Sequence, residues 1–147
     1  MKFSKFNEAL DYCERGLNFL PDDTSLNFDK AFLLYITGKK EKSKRVISDF
    51  GLNCCYLLFK LANHYDSIKE FDKALEFCKK SIDCDSEYIY SWALMGEIYF
   101  NLKEYDESLK YCKKSLDLNQ DNDKDIINYY DDDCREFVIS NLLSNDD

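Results

Sequence analysis

The sequence predicts an all-α protein of antiparallel helix pairs, with about seven or eight helices in its 147 residues. Three observations predict this class. Apolar residues recur at the spacing of one helix face, a segment of 34 residues is repeated, and the chain holds only 4 Gly and 1 Pro. Because Gly and Pro disfavour helix interiors, so low a content suits a chain that is helical over most of its length.

The internal repeat is the strongest of these signals. Residues 55–88 and 89–122 align without gaps, and eleven of the 34 aligned pairs are identical, Tyr65 with Tyr99 among them. Chance would give roughly two identities at ordinary residue frequencies. A period of this length is typical of arrays in which one supersecondary unit stacks on the next.

The second copy indicates how each unit folds. Trp92, Met95, Gly96 and Tyr99 recur at i, i+3, i+4 and i+7, which places them on one face of a helix. A turn near Lys103 follows, and a second amphipathic helix comes after it. The small residue on the first helix allows the two helices to approach closely.

This spacing resembles the tetratricopeptide repeat. The family pattern W-x2-L-G-x2-Y is matched by Trp92-x2-Met95-Gly96-x2-Tyr99, and Ser108 begins a loose match to the A-x3-F that follows. The resemblance implies helix pairs stacked into a right-handed superhelical solenoid. It also implies a concave groove, lined by the first helix of each pair, that binds a peptide or helix of a partner protein.

The repeat register divides the chain into a single array. We expect a half repeat with only its second helix at 1–23, a degenerate repeat at 24–54, repeats at 55–88 and 89–122, and a capping helix at 123–147.

Composition limits the classes of partner. The chain carries 20 Lys and Arg against 29 Asp and Glu, a net charge of −9, so nucleic acid and anionic membrane surfaces are not expected as partners. No apolar run approaches the ~18–20 residues of a membrane span.

The seven cysteines are an odd number and show no spacing typical of a disulfide framework, which favours reduced thiols and a cytoplasmic location. Cys13, Cys78 and Cys112 share one helix phase, which predicts that they pack in the core.

The sequence contains no recognisable set of residues for catalysis or for binding a metal or cofactor. His64 is the single histidine, the glycines are scattered, and no nucleophile, base and orienting group occur together. Asp121, Asp123 and Asp125 match the start of a calcium loop, but Ile126 stands where that loop needs glycine, so we interpret these residues as helix-capping acids. The sequence therefore predicts a protein that is not an enzyme and uses no cofactor.

The groove candidates share the inward, non-core phase of the first helices. They are Phe28, Phe32, Tyr35, Tyr56, Phe59, Asn63, Asp66, Tyr90, Glu97, Phe100 and Asn101. Aromatic anchors with nearby acids favour an apolar or mildly basic partner, so the leading hypothesis is a protein-binding adaptor or scaffold. An alternative stays open, in which some of these rings fill the core instead.

The sequence argues against one binding mode known in this family and leaves one alternative function open. A subclass of the family binds the acidic C-termini of heat-shock chaperones through Lys, Asn and Arg residues. The corresponding positions here hold Phe28, Phe32, Lys60, Tyr90 and Leu94, so that activity is not expected. The alternative function is a structural assembly piece. Its N-terminal helix would expose an apolar patch and form a homodimer or continue the stack, and the self-association candidates are Phe6, Leu10 and Cys13.

Overall fold

The computed structural model describes residues 2–119 and 123–143, and every regular element within them is helical. The α-helices are, in chain order, α1 (Lys2–Phe19), α2 (Thr24–Ile36), α3 (Lys40–Phe50), α4 (Cys54–Ser67), α5 (Phe71–Cys84), α6 (Ile89–Asn101), α7 (Tyr105–Leu118), α8 (Asp123–Tyr129) and α9 (Asp132–Val138). A π-helical segment, Ile139–Leu143, follows. The expected all-α fold of adjacent helix pairs is confirmed.

The chain divides into two compact units, Met1–Leu57 and Leu58–Asp147, which we call the N-terminal and C-terminal units. In the N-terminal unit, α1 packs on α2 and α2 packs on α3. In the C-terminal unit, α6 packs on both α5 and α7.

The N-terminal helix does not expose the patch that the sequence suggested. Leu10 is 6% exposed and forms a core with Leu33 and Leu34 of α2, and Phe6 and Cys13 pack against that core. The expectation of an exposed apolar face at Phe6, Leu10 and Cys13 was wrong, because the first helix of the degenerate repeat covers it. These residues therefore stabilise the unit.

A buried hydrogen bond joins the helices of the degenerate repeat. The hydroxyl of Ser43 on α3 donates to the backbone carbonyl of Ala31 on α2 at 2.7 Å. Ser108 makes the same bond to Gly96, again at 2.7 Å and again across twelve residues. The degenerate repeat thus keeps the helix-pair contact of the well-matched repeat.

The turns within the C-terminal repeats use left-handed backbone at a lysine. Lys69 and Lys103, which lie 34 residues apart, both have φ of 62°. In each turn the next amide closes the helix end, Glu70 N to Tyr65 O and Glu104 N to Tyr99 O, both at 2.9 Å. Left-handed closure of this kind ends many helices, although glycine is the residue that usually provides it.

Trp92 lies between the helices of its repeat but is only partly buried. Its ring stacks on Tyr111 of α7 with centroids 6.0 Å apart, and Nε1 donates to the carbonyl of Ser86 at 2.8 Å. The ammonium of Lys114 lies over the same ring, 5.7 Å from its centroid. Cys78 and Cys112 are fully buried, as expected, whereas Cys13 is partly buried.

The C-terminal segment forms two short helices where one capping helix was expected. Asp131 interrupts the helix, and its side chain caps α9 by accepting from the amide of Cys134 at 2.9 Å. This break explains why the described residues hold nine α-helices in place of seven or eight. Ile126, Tyr130 and Val138 are at most 1% exposed and form a core with Ala93 of α6.

Candidate functional site

The groove candidates of the N-terminal unit differ in how they pack and how far they are exposed. Phe28 and Tyr56 meet edge to face with centroids 5.2 Å apart, and Tyr56 is 38% exposed. Phe32 packs against the core between α1 and α2. The ring of Tyr35 is partly buried and has the ammonium of Lys40 5.2 Å from its centroid. Phe28 and Tyr56 are therefore the two that form an accessible aromatic pair.

The C-terminal unit gathers four rings that we call the aromatic cluster: Phe59, Tyr88, Tyr90 and Tyr129. Phe59 lies 5.6 Å from Tyr88, 6.4 Å from Tyr90 and 6.3 Å from Tyr129, measured between centroids. Tyr90 lies 5.7 Å from Tyr88 and 5.6 Å from Tyr129. All four rings are partly exposed, so they pack on one another and still present accessible surface.

Three acids of the same unit form what we call the carboxyl cluster: Asp66 on α4, Glu97 on α6 and Asp131 between α8 and α9. The amide of Asp131 donates to Oε1 of Glu97 at 3.4 Å. The side-chain amide of Asn101 donates to the carboxylate of Asp66. Two helices and the interhelical residue Asp131 thus bring these acids together.

Crowding and burial shift the protonation of these acids. Burial raises the pKa of Glu97 to about 7; the amide of Asp131 opposes the rise, and the charges of Asp131 and Asp66 add to it. Burial also raises the pKa of Asp66, and the charge of Asp131 adds to that rise. Since like charges and burial disfavour ionisation, a cation placed here would be bound favourably.

Tyr129 connects the carboxyl and aromatic clusters. Its hydroxyl is buried and has no hydrogen-bond partner among the described residues, and the same is true of Oδ1 of Asp66. Burial raises the pKa of Tyr129, and the charge of Glu97 adds to that rise. Polar atoms that are buried without partners are uncommon in native proteins and call for an explanation.

The remaining candidates lie apart from these clusters. Phe100 packs against Phe137 at 5.1 Å and Tyr105 at 5.7 Å between centroids, so the C-terminal helices partly cover it. Asn63 is exposed on α4.

Three members of the clusters were not among the predicted groove residues, namely Tyr88, Tyr129 and Asp131. Asp131 follows Glu97 by 34 residues, so extending the repeat period by one more unit would have found it. Tyr88 precedes α6, and Tyr129 ends α8, so neither lies on a first helix of a repeat, where the groove residues were expected.

The described part of the chain holds no group of three His, Cys, Asp or Glu residues that could bind a metal ion. Asp121 and the side chain of Asp123, which belong to the calcium-loop match, lie outside the described residues. Across residues 2–119 and 123–143, no helix combines the length and the apolar character needed to cross a membrane.

Comparisons with known proteins agree with this architecture. The family described as "Tetratricopeptide repeat" matches residues 89–122. The crystal structure of MamA protein superposes with a TM-score of 0.51 at 25% identity, and the match covers 78% of this chain. The match spans 64% of the length of the MamA chain. No curated protein sequence gives a significant match.

Proposed function

We propose that the chain is a non-enzymatic adaptor, because it contains a tetratricopeptide repeat at residues 89–122 and resembles MamA in fold, and such repeats are generally protein–protein interaction modules. It binds a segment of a partner protein on the aromatic cluster. We expect it to act in the cytoplasm, since its exposed thiols, Cys54 and Cys84, would stay reduced there.

The observation that carries this proposal is the packing of Phe59 and Tyr90. Their rings lie 6.4 Å apart on the first helices of successive repeats, and both keep accessible surface. Aromatic side chains that are held in place by neighbouring rings lose little conformational freedom on binding, which makes them effective anchors. Phe28 and Tyr56 in the N-terminal unit have the same character and are a second candidate contact.

The partner segment should carry an apolar side chain for the rings, flanked by basic residues. The carboxyl cluster adjoins the rings through Tyr129, and the chain as a whole has a net charge of −9. Charge complementarity of this kind favours basic segments and disfavours acidic ones.

The experiment is a selection of binding peptides from a displayed random library on the full chain. The affinity of the strongest peptide is then measured for the wild type and for Phe59→Ala and Tyr90→Ala. We expect each variant to lose affinity by about thirtyfold or more, the effect of a hot spot worth ~2 kcal/mol.

The matched controls are Tyr12→Ala and Phe19→Ala, which remove rings that are 69% and 87% exposed on α1. Unchanged affinity in these controls, with the expected loss at Phe59 and Tyr90, supports the proposal. Equal losses in all four variants, or no loss at Phe59 and Tyr90, would contradict it.

A further inference from the structure

Helices α1, α2 and α3 of the N-terminal unit line a cavity of about 310 Å³ that is rich in positive charge. We call it the basic cavity, and its lining includes four cations and two apolar side chains: Lys30, Leu34, Lys39, Lys42, Arg45 and Val46. Glu14 of α1 supplies one carboxylate to the same lining. This excess of cations is the reverse of the whole chain, which carries a net charge of −9.

Helix geometry brings these side chains together. Lys30 and Leu34 are four residues apart on α2, so they share one face of that helix. On α3, Arg45 and Val46 follow Lys42 by three and four residues and share a face in the same way. Leu34 is buried and Val46 is partly buried, whereas Lys42 and Arg45 are exposed. The charged groups therefore surround an apolar floor and stay accessible to a ligand.

Two hydrogen bonds fix α2 and α3 around the basic cavity. The buried hydroxyl of Ser43 on α3 donates to the carbonyl of Ala31 on α2 at 2.7 Å. In the turn between the two helices, the amide of Lys39 donates to the carbonyl of Leu34 at 2.8 Å. The cavity is thus part of the packed helix pair, and a preformed site loses little conformational freedom when a ligand binds.

The four cations of the basic cavity have no counterion within residues 2–119 and 123–143. None of them forms an ion pair or a side-chain hydrogen bond with a residue of these ranges, and Glu14 forms none with them. Lys44, which does not line the cavity, pairs with Glu41 at 3.3 Å. Because like charges gathered without a counterion repel one another, an anion that enters the cavity is bound favourably.

The charge and the donors of the basic cavity fit a phosphate group better than a carboxylate. A phosphorylated side chain carries a charge of about −1.5 to −2 at pH 7 and three strong acceptor oxygens. The planar donor fork of Arg45 matches two phosphate oxygens at once, and each lysine adds an ammonium with three donors. A volume of about 310 Å³ is at the lower end for ligand pockets, which fits one phosphorylated residue and a neighbour.

The negative charge of the whole chain limits which phosphate can bind. At ~0.1 M ionic strength the Debye length is about 10 Å, so acids farther from the cavity than this are largely screened. A single phosphorylated residue inside the cavity is therefore governed by the four cations. A nucleic acid or an anionic membrane would extend over the surrounding acidic surface and be repelled by it.

We propose that the basic cavity is a second binding site, which takes a phosphoserine or phosphothreonine of a partner protein. Arg45 donates to two phosphate oxygens, the three lysines supply the remaining positive charge, and Leu34 and Val46 contact the residue next to the phosphorylated one. The site lies within the N-terminal unit and shares no residue with the aromatic cluster or the carboxyl cluster. It thus goes beyond the proposed adaptor function, since it makes binding of a partner depend on phosphorylation.

The test is a selection on the full chain from a degenerate peptide library with one fixed phosphoserine or phosphothreonine. The affinity of the strongest peptide is then compared, at constant ionic strength, with that of its unmodified form, of its form with Glu at the phosphorylated position, and of inorganic phosphate. We expect the phosphopeptide to bind at least tenfold more tightly than each of these. Equal binding of the Glu peptide or of inorganic phosphate would overturn the proposal, as would a library without a phosphate-dependent binder.

Exposed variants make the test specific to the basic cavity. Lys42→Gln/Arg45→Gln should lower the affinity for the phosphopeptide at least tenfold. The matched control, Lys40→Gln/Lys44→Gln, removes the same charge from the same helix at positions that do not line the cavity, so it should change the affinity less than twofold. Glu14→Gln should raise the affinity at least twofold, because it removes the carboxylate from the lining. Circular dichroism verifies that each variant is folded.

Equal losses in the two double variants would show that overall charge drives binding, and they would overturn the assignment to the cavity. A weaker complex with Glu14→Gln would contradict it as well. Phe59→Ala/Tyr90→Ala should leave the affinity for the phosphopeptide unchanged, and a loss there would contradict a separate site. The aromatic cluster is tested with unphosphorylated peptides, so failure of one proposal is distinguishable from failure of the other.

Discussion

Ser108 donates its hydroxyl hydrogen to the backbone carbonyl of Gly96 across 2.7 Å, and this bond lies in the fully buried contact between α6 and α7. The contact leaves no space for a side chain at residue 96. A Cβ placed there would collide with Sγ of Cys112 and would lie 3.1 Å from the amide nitrogen of Cys112.

Gly96→Ala should therefore destabilise the protein by about 1–3 kcal/mol, the usual effect of overpacking a core. The measurement is urea unfolding followed by circular dichroism. Gly16→Ala is the matched control, because a Cβ there meets the flexible end of Leu26 at 3.0 Å. That control should be neutral or slightly stabilising, since alanine favours a helix over glycine by ~0.5–1 kcal/mol. Equal effects at the two glycines would contradict the close contact.

Lys69→Gly and Lys103→Gly should each stabilise the protein, by about 0.5–1 kcal/mol. Both lysines hold φ of 62°, a conformation that disfavours residues with a Cβ and that glycine adopts freely. Thermal unfolding of each variant measures the effect. Lys79→Gly, at an exposed position inside α5, should instead destabilise by ~1 kcal/mol. A loss of stability at both turn lysines would show that the left-handed turns are wrong.

Glu97→Gln should change how stability depends on pH. The pKa of Glu97 is about 7 in the folded protein and about 4.3 in an unfolded chain, so the folded state binds the extra proton between these values. The contribution of Glu97 to the free energy of unfolding should then fall as pH rises from about 4.3 to 7, by about 3–4 kcal/mol at ~1.36 kcal/mol per pKa unit, and stay level above that range.

The Gln variant should remove most of this fall, and it should be more stable than the wild type at pH 8 but not at pH 4. Glu87→Gln, on the exposed segment before α6, should leave the pH profile as it is. Parallel profiles for the wild type and Glu97→Gln would refute the raised pKa.

The helix-pair repeats could be predicted from the sequence because their main contacts join residues at a short, fixed spacing along the chain. The Gly96 and Ser108 pair and the Ala31 and Ser43 pair both lie twelve residues apart. A periodic pattern records such contacts directly, so the helix pairs and the accessible phase of Phe59 and Tyr90 could be predicted.

The N-terminal face and the C-terminal helices were harder to predict, since they depend on contacts that the period does not encode. Leu10 is buried by Leu33 and Leu34 of the next helix pair. The sequence of that pair matches the repeat poorly, so this contact could not be predicted from the repeat pattern. The break at Asp131 comes from a side-chain cap within an otherwise apolar helical pattern, and the cap also positions this residue beside Glu97.

The central claim is that Phe59 and Tyr90 anchor a segment of a partner protein, and one binding measurement tests it most directly. The affinity of a library-selected peptide is measured by isothermal titration calorimetry for the wild type, for Phe59→Ala/Tyr90→Ala and for the control Tyr12→Ala/Phe19→Ala, with circular dichroism to verify that each variant is folded. The account predicts that the Phe59 and Tyr90 double variant loses most of its affinity, by at least ~2 kcal/mol, while the control binds like the wild type. A folded Phe59→Ala/Tyr90→Ala protein that binds the peptide as tightly as the wild type would contradict it.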